Sequence, residues 1–331
     1  MAMFTHKRCP VCESADVELI DQITPQALID AYRTSGLVQR TTHLFTDLAQ
    51  PVMLCGCRSC SLKWYAHGPA GDAAFYEDLQ RHDWYYQNDK PEHVYAGSCL
   101  GVAPRVLEVG CGGGAFARHM PDGATYRGLE FNQLAVQTAR AAGLDVEVRG
   151  LEQEAQSQAG VYDVVCHFQV LEHVTDPAGF MRLCAQALKP GGRMIVAVPA
   201  EDSFYGLAES VFLNMPPHHL TRWTDRALAT VFRQAGVEPT HFWHEPVADF
   251  HQDWQRGVAM RAGWQNLFGS QPQLMISPVS QKLMNLLRWV PGLDDWLYRR
   301  GLAAYPDMAR GSTVCVVGTK TEAGVAAGRG H

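Results

Sequence analysis

Between residues 104 and 200, short apolar runs alternate with stretches in which apolar side chains recur every three or four positions. The runs predict strands over Arg105–Val109, Tyr126–Glu130, Asp145–Arg149, Tyr162–Phe168 and Arg193–Val198. The segments "NQLAVQTARAAG" and "DPAGFMRLCAQALKPGG" carry the helical period, and Lys-Pro-Gly-Gly stops the second. Such alternation implies a parallel sheet covered on both faces. A further helix is expected over 224–236, with Thr221 or Thr224 as its N-cap. "VCVVGT" at 314–319 reads as a last buried strand.

The flanks have a different texture. Residues 1–66 are punctuated by cysteine and are expected to form a small domain with a helix in "TPQALIDAYRT". Residues 67–100 are aromatic and polar and read as a helical linker. The alternating region spans 101–321 and is interrupted at 244–310 by a helical insert holding five of the eight tryptophans, Trp243 counted at its edge. Residues 322–331 are Gly/Ala-rich and read as a flexible tail. The chain carries no internal repeat.

The 331 residues are 47% hydrophobic and 19% charged, which excludes a disordered chain. A net charge of -6 disfavours a general nucleic-acid binder. No run reaches the roughly 18 apolar residues of a membrane span. "MAMFTHKRCP" lacks a secretory apolar core, so the cytoplasm is the expected location. There, ten cysteines are not expected to build a disulfide framework.

The first strand runs into Gly110-Cys111-Gly112-Gly113-Gly114. Glycine permits positive φ and close approach of a ligand to the backbone. A helix is expected next, with its free N–H groups toward that ligand. Gly110, Gly112 and Ala115 also satisfy the dinucleotide pattern G-x-G-x-x-G/A. Glu130, about 20 residues on, could bind ribose hydroxyls in either case. Two features favour S-adenosylmethionine over NAD. Glu108 places a carboxylate inside the strand, where a ligand with an ammonium and a sulfonium suits it. The other is the ordered series "YDVVCHFQVLEHV…ALKPGGRMIVAVP".

With these motifs the chain resembles a class I S-adenosylmethionine-dependent methyltransferase, over roughly 100–240 and 312–320. "VLEVGCGGG", "YRGLEF", "YDVVCHFQVLEHV" and "LKPGG" match the family's ordered motifs. The resemblance implies a Rossmann-like, doubly wound α/β sheet with an antiparallel last strand. It implies that Glu108, Gly110, Cys111 and Gly112 border the methionine end. Glu130 would bind the ribose, Phe131 would pack on the adenine, Leu151 and Glu152 would meet the adenine edge, and Gln169 would face the sulfonium.

Cys9-Pro-Val-Cys12 and Cys57-Arg-Ser-Cys60 are two C-x2-C knuckles. Four thiolates in a tetrahedral array make a closed, structural Zn2+ site. Cys55 is a competing ligand; Cys57 and Cys60 are preferred because they keep the knuckle spacing. Cys99, Cys111, Cys166, Cys184 and Cys315 read as packing residues. The cysteine-bearing N-terminus resembles a methyltransferase subgroup that often acts on sugars, with "CRSCSLKWYAHGP" and "FYEDL…WYY" leading into the catalytic domain. The sugar C-methyltransferases carry a further C-terminal domain that has no counterpart here, so transfer to carbon is not carried over.

A hydroxyl acceptor needs a base near neutral pH, which histidine supplies. The resemblance places His173, in "LEHV", and His218 and His219, in "NMPPHHLTRWT", in the acceptor pocket, with His218 where the sugar enzymes have glutamate. His219 is expected to act as base or acceptor ligand, and Tyr85 or Tyr86 to supply a tyrosine. Glu201 and Tyr205 could also reach the pocket, and Arg222 and Trp223 are read as capping the next helix. In the insert, Leu283, Leu286, Leu287 and Val290 fall on one helical face, read as the core of a lid or as a homodimer face.

The expected protein is therefore an S-adenosylmethionine-dependent methyltransferase with structural zinc. Its expected partner is a small-molecule or glycan acceptor, methylated on a hydroxyl of a sugar, glycan precursor or related secondary metabolite. Rivals are a C- or N-methyltransferase of a small metabolite, a non-catalytic S-adenosylmethionine-binding zinc protein, an NAD-linked oxidoreductase and an RNA methyltransferase.

Overall fold

The computed structural model describes residues 4–322 apart from 37, 39, 83–89, 278–280, 283, 285 and 287–289. The N-terminal region builds an antiparallel sheet from β1 (Val17–Ile23), β2 (Val52–Cys57) and β3 (Lys63–Ala66). Helix α1 (Pro25–Ser35) lies between β1 and β2 in sequence, at the expected place. The Thr24 hydroxyl accepts from the Ala27 N–H, Pro25 fits the first turn, and Gly36 ends the helix at φ +69. Its buried stripe is Leu28, Ile29 and Tyr32. Helices α2 (Ala73–Leu79) and α3 (Pro91–Ser98) follow.

The main sheet begins with β4 (Arg105–Val109), β5 (Thr125–Leu129), β6 (Val146–Glu147), β7 (Tyr162–Phe168) and β8 (Leu188–Pro199), which pair in parallel. These are the five expected strands, with ends moved by up to five residues. β9 (Thr221–Arg222) leaves this sheet and pairs with β3. β10 (Val237–Pro246) and β11 (Arg310–Lys320) complete the order β10-β11-β8-β7-β4-β5-β6, with β11 antiparallel to both neighbours. The fold is thus the Rossmann-like doubly wound sheet with an antiparallel last strand. β10 has no signal in the hydrophobic pattern. It is an edge strand with prolines at 239 and 246 and mostly solvent-facing side chains.

The parallel strands are connected by α4 (Gln133–Ala141), α5 (Leu151–Ser157) and α6 (Pro177–Ala187). Asn132 and Asp176 cap the first and last of these through their side chains. α7 (Asp225–Gln234) starts on Thr224, whose hydroxyl accepts from the Ala227 N–H, so Thr224 rather than Thr221 is the cap. Arg222 and Trp223 do not cap it. Arg222 is buried against Glu201, and Trp223 belongs to the core.

The two sheets share apolar packing. Cys9, Val11 and Trp64 lie in the same buried cluster as Leu171, Val198 and Trp223. In the insert, α8 (Gln252–Leu267) crosses α9 (Leu293–Ala304) with backbones almost touching. A Cβ on Gly263 would stand 2.2 Å from the Leu297 carbonyl oxygen. The lid-core reading of the face at 283–290 is corrected for two of its residues: Leu286 and Val290 are 67% and 48% exposed, and Met284 is the buried residue. Leu283 and Leu287 lie outside the described residues. Trp254 is half-exposed and packs edge-on against Phe204 and Tyr205.

Candidate active site

At the end of β4 the chain turns through Gly110, Gly112 and Gly114, at φ +72, +53 and +78. Such angles favour glycine. A Cβ on Gly110 would also stand 2.6 Å from Val170 Cγ2. Glu130, just past β5, accepts from the backbone N–H of Gly112 at 2.9 Å and of Asn132 at 2.8 Å. The carboxylate is therefore fixed beside the turn, where a vicinal diol could meet it. The segment after the turn is a 3-10 stretch, Ala115–His119, and not the expected α-helix. Pro121 disfavours helical backbone at Met120 and ends it early.

Glu108 is buried, and the Tyr126 hydroxyl donates to it at 2.5 Å. Burial pushes its carboxyl up to about 8, against the Tyr126 hydrogen bond, which favours the anion. Cys111 is buried behind the turn, toward Gly128. Phe131 is 75% exposed. Leu151 is buried and Glu152 is exposed in the first turn of α5. Gln169 follows β7 at φ +56, and its Nε2 donates to Glu92 Oε1 at 3.2 Å. These residues sit at one end of the parallel strands, where open α/β sheets take their ligands. Their chemistry fits a ligand with a diol and a cationic end.

His173, His218 and His219 come together beyond the ends of β7 and β8, with one ligand atom of each lying within 4.8 Å of the others. Each Nδ1 meets an oxygen. His173 donates to the His218 carbonyl at 2.5 Å and His218 to the Leu213 carbonyl at 2.8 Å, while His219 meets Asn214 Oδ1 at 3.0 Å. Glu172 Oε1 lies 3.7 Å from His173 Nε2 and 3.9 Å from His219 Nε2. Burial lowers His173 to about 4 and holds His218 and His219 well below the usual imidazole range, so all three are neutral at pH 7. Burial lifts the Glu172 carboxyl to about 8.

Tyr86 and Tyr85 lie outside the described residues. Among the described residues, the tyrosine whose hydroxyl meets the cluster is Tyr76 of α2, 3.4 Å from His173 Nδ1. It belongs to the "FYEDL" stretch that the sequence singled out only as a lead-in. Glu201 does not serve the pocket as expected, because Arg222 Nε at 2.7 Å and Lys63 Nζ at 2.6 Å hold it. Sequence reasoning missed Glu172, although it belongs to the "LEH" triplet, because its place beside His173 and His219 comes from burial and has no local spacing. It also missed Asn214, Glu92 and Lys90, whose ammonium acts electrostatically on Glu108, Glu172 and His173.

Cys9, Cys12, Cys57 and Cys60 form one group, with Sγ separations of 3.6 Å for Cys9–Cys60 and 3.4 Å for Cys12–Cys57. A tetrahedral site with Zn–S bonds of about 2.3 Å has Sγ atoms ~3.8 Å apart, so the four thiols fit Zn2+ with little adjustment. The Cys60 thiol next to it pulls Cys9 down to about 5. Cys55 stands outside the group, in β2.

A doubly wound sheet with this glycine turn, an acidic residue closing β5 and an antiparallel last strand defines the class I methyltransferase fold. The chain belongs to the family described as "Methyltransferase domain", whose profile matches residues 72–241, just over half of it. It is similar to the ubiquinone biosynthesis O-methyltransferase of Bordetella pertussis, 36% identical over 160 residues, 44% of this chain and 66% of that protein. The protein of the same name from Escherichia coli O7:K1 is 45% identical over 95 residues, 27% of this chain and 40% of that one. The matches thus span less than two thirds of these relatives. Neither is named for a sugar acceptor, so the sugar resemblance rests on the motifs alone. A SAM dependent methyltransferase from Archaeoglobus fulgidus superimposes with a TM-score of 0.50 at 14% identity, over 74% of this chain and 100% of that one. Among the described residues, no helix is long and apolar enough to cross a membrane.

Proposed function

We propose that the protein transfers a methyl group from S-adenosylmethionine to a hydroxyl oxygen of a small molecule. The acceptor is a sugar, a glycan precursor or a related secondary metabolite. One observation carries the reading: Val170 joins the histidine cluster to the glycine turn, its carbonyl accepting from the His173 N–H at 3.0 Å and its side chain packing against Gly110. S-adenosylmethionine supplies an electrophilic methyl group: its S–CH3 bond breaks, an O–CH3 bond forms, S-adenosylhomocysteine leaves, and the hydroxyl gives up its proton.

Gly110 and Gly112 keep the backbone open for the nucleoside, and Glu130 takes the ribose hydroxyls. Phe131, Leu151 and Glu152 meet the adenine. Cys111 backs the turn. Glu108 and Gln169 face the cationic end, where a positive neighbour returns Glu108 to its anion. His219 and its neighbours His173 and His218 meet the acceptor hydroxyl, and the histidine–glutamate cluster accepts its proton. Zn2+ on Cys9, Cys12, Cys57 and Cys60 ties the N-terminal sheet together and takes no part in the chemistry.

A second acceptor class is supported by the relatives' names: a ring hydroxyl of a quinone precursor. The test supplies methyl-labelled S-adenosylmethionine to two acceptor sets, nucleotide sugars and free sugars in one, catechols in the other, with His219→Ala alongside. Label in the sugar set that is lost in the variant supports the reading. Label confined to the catechols moves the acceptor class. Label in neither, with intact cofactor binding, favours a non-catalytic binding protein.

A further inference from the structure

We propose that Glu92 is a positioning residue for methyl transfer: it sets the amide of Gln169 so that the carbonyl oxygen Oε1, and not the NH2 group, faces the sulfonium. The proposal rests on the methyl-transfer reading, in which Gln169 borders the cationic end of the cofactor. Three observations point to it.

The first is the hydrogen bond between the two side chains. Gln169 Nε2 donates to Glu92 Oε1 at 3.2 Å. The two ends of a glutamine amide have nearly the same shape, so packing does not choose between them. A carboxylate does choose, because it has no hydrogen to give and takes only the NH2 end. Oε1 is thereby turned away from Glu92, and among the described residues no donor meets it. It is left for a ligand.

The second is where the pair sits. Gln169 directly precedes Val170, whose side chain packs against Gly110 of the glycine turn. The backbone of Gln169 holds φ +56, and its N–H donates to the Ala197 carbonyl at 2.8 Å. Glycine takes that angle freely, and a residue with a Cβ takes it at a cost. The cost is met here by a residue whose amide is held in one orientation.

The third is the isolation of Glu92. It is buried in the first turn of α3, at 4% exposure. Among the described residues Gln169 is the one hydrogen-bond partner of its carboxyl group, and no cation pairs with it. A buried carboxyl group without a counter-charge is costly. Its charge also reaches Glu245, whose carboxyl is raised first by burial and then by Glu92. A sulfonium beyond the amide supplies the missing positive charge. The amide dipole, with its negative end outward, passes the attraction on.

The test compares S-adenosylmethionine, which carries the positive sulfur, with S-adenosylhomocysteine, which does not. Both are titrated into the full chain by calorimetry. Glu92→Gln offers a donor as well as an acceptor and so releases the choice of amide end. Its preference for S-adenosylmethionine should fall about fivefold, a size within the couplings of contacting residues, with S-adenosylhomocysteine bound nearly as before. Gln169→Gly, unstrained at that backbone angle, should show the same fall. The double variant should fall no further than either. Urea unfolding without ligand checks each fold, and Glu92→Met, which suits a buried position, repeats the test if Glu92→Gln does not fold.

An equal loss of both affinities, or no loss, gives Glu92 a structural role only. That overturns the proposal and leaves the cofactor reading intact. So does a fall that Glu92→Gln adds on top of Gln169→Gly, because the charge of Glu92 then acts without the amide. A wild type that binds neither nucleoside overturns the methyl-transfer reading and the proposal with it.

Discussion

The Tyr65 hydroxyl in β3 donates to the carbonyl oxygen of Asn214 at 2.7 Å, wholly out of solvent. The side chain of Asn214 in turn holds His219 Nδ1. The N-terminal sheet thereby fixes the loop that presents the histidines, and Tyr32 adds hydrogen bonds to Phe212 and Met215. Tyr65→Phe leaves a buried carbonyl without its donor and should cost about 1–3 kcal/mol in urea unfolding. The KM for the acceptor should rise several-fold, with cofactor affinity little changed. Equal losses of both affinities would separate this hydrogen bond from the acceptor loop.

The glycine turn offers an internal control. Gly110 has φ +72 and no room for a Cβ beside Val170, whereas a Cβ on Gly113 meets nothing closer than Thr138 Cγ2 at 4.0 Å. Gly110→Val should abolish S-adenosylhomocysteine binding in calorimetry. Gly113→Ala should bind within about threefold of wild type if the space beside it stays clear of ligand. A Gly110→Val protein that still binds would remove this turn from the cofactor site.

The cysteine group separates ligands from a near neighbour. Cys57→Ser should release zinc and lower the unfolding midpoint, because the metal cross-links β2 to the N-terminal knuckle. Cys55→Ser should keep the zinc. Unchanged zinc in Cys57→Ser, read by elemental analysis, would refute the ligand set.

Two buried groups set opposite pH limbs of stability. Burial drives His167 down to about 3 from 6.5, so the unfolded chain takes up its proton first as the medium acidifies. Its contribution is present above pH 6.5 and is lost as pH falls from there toward 3. Glu108 has the reverse sign. Its carboxyl is raised from 4.5 to about 8, so its contribution is full below pH 4.5 and lost as pH climbs through 8. His167→Phe should flatten the acid limb and Glu108→Gln the neutral one, each removing a slope of up to ~1.4 kcal/mol per pH unit. Denaturant unfolding at a series of pH values reads both.

The parallel half of the sheet was legible because each buried strand is a near-continuous apolar run. Tyr162–Phe168 and Arg105–Val109 came out with the expected bounds. The glycine turn and Glu130 were legible because only a few residue types serve such a turn. β1 and β10 were not. Both are edge strands with many solvent-facing side chains, formed by pairing rather than by pattern. Leu286 and Val290 misled for a related reason. A helical period marks a face but does not say whether anything covers it. Tyr76 and Glu172 escaped because they meet His173 only through tertiary packing of α2 and through burial, neither of which has a local spacing.

β9 contributes only Thr221 and Arg222, yet it is the strand that completes the N-terminal sheet beside Lys63 and Trp64. On the ribosome, β3 waits for a partner that emerges roughly 150 residues later, on the order of ten seconds at ordinary synthesis rates. During that interval the backbone edge of β3 has no β9 to pair with, and the Tyr65 N–H lacks the Leu220 carbonyl that accepts from it in the folded protein. The N-terminal segment is thus made first and finished late, and its assembly is timed by the far side of the methyltransferase domain.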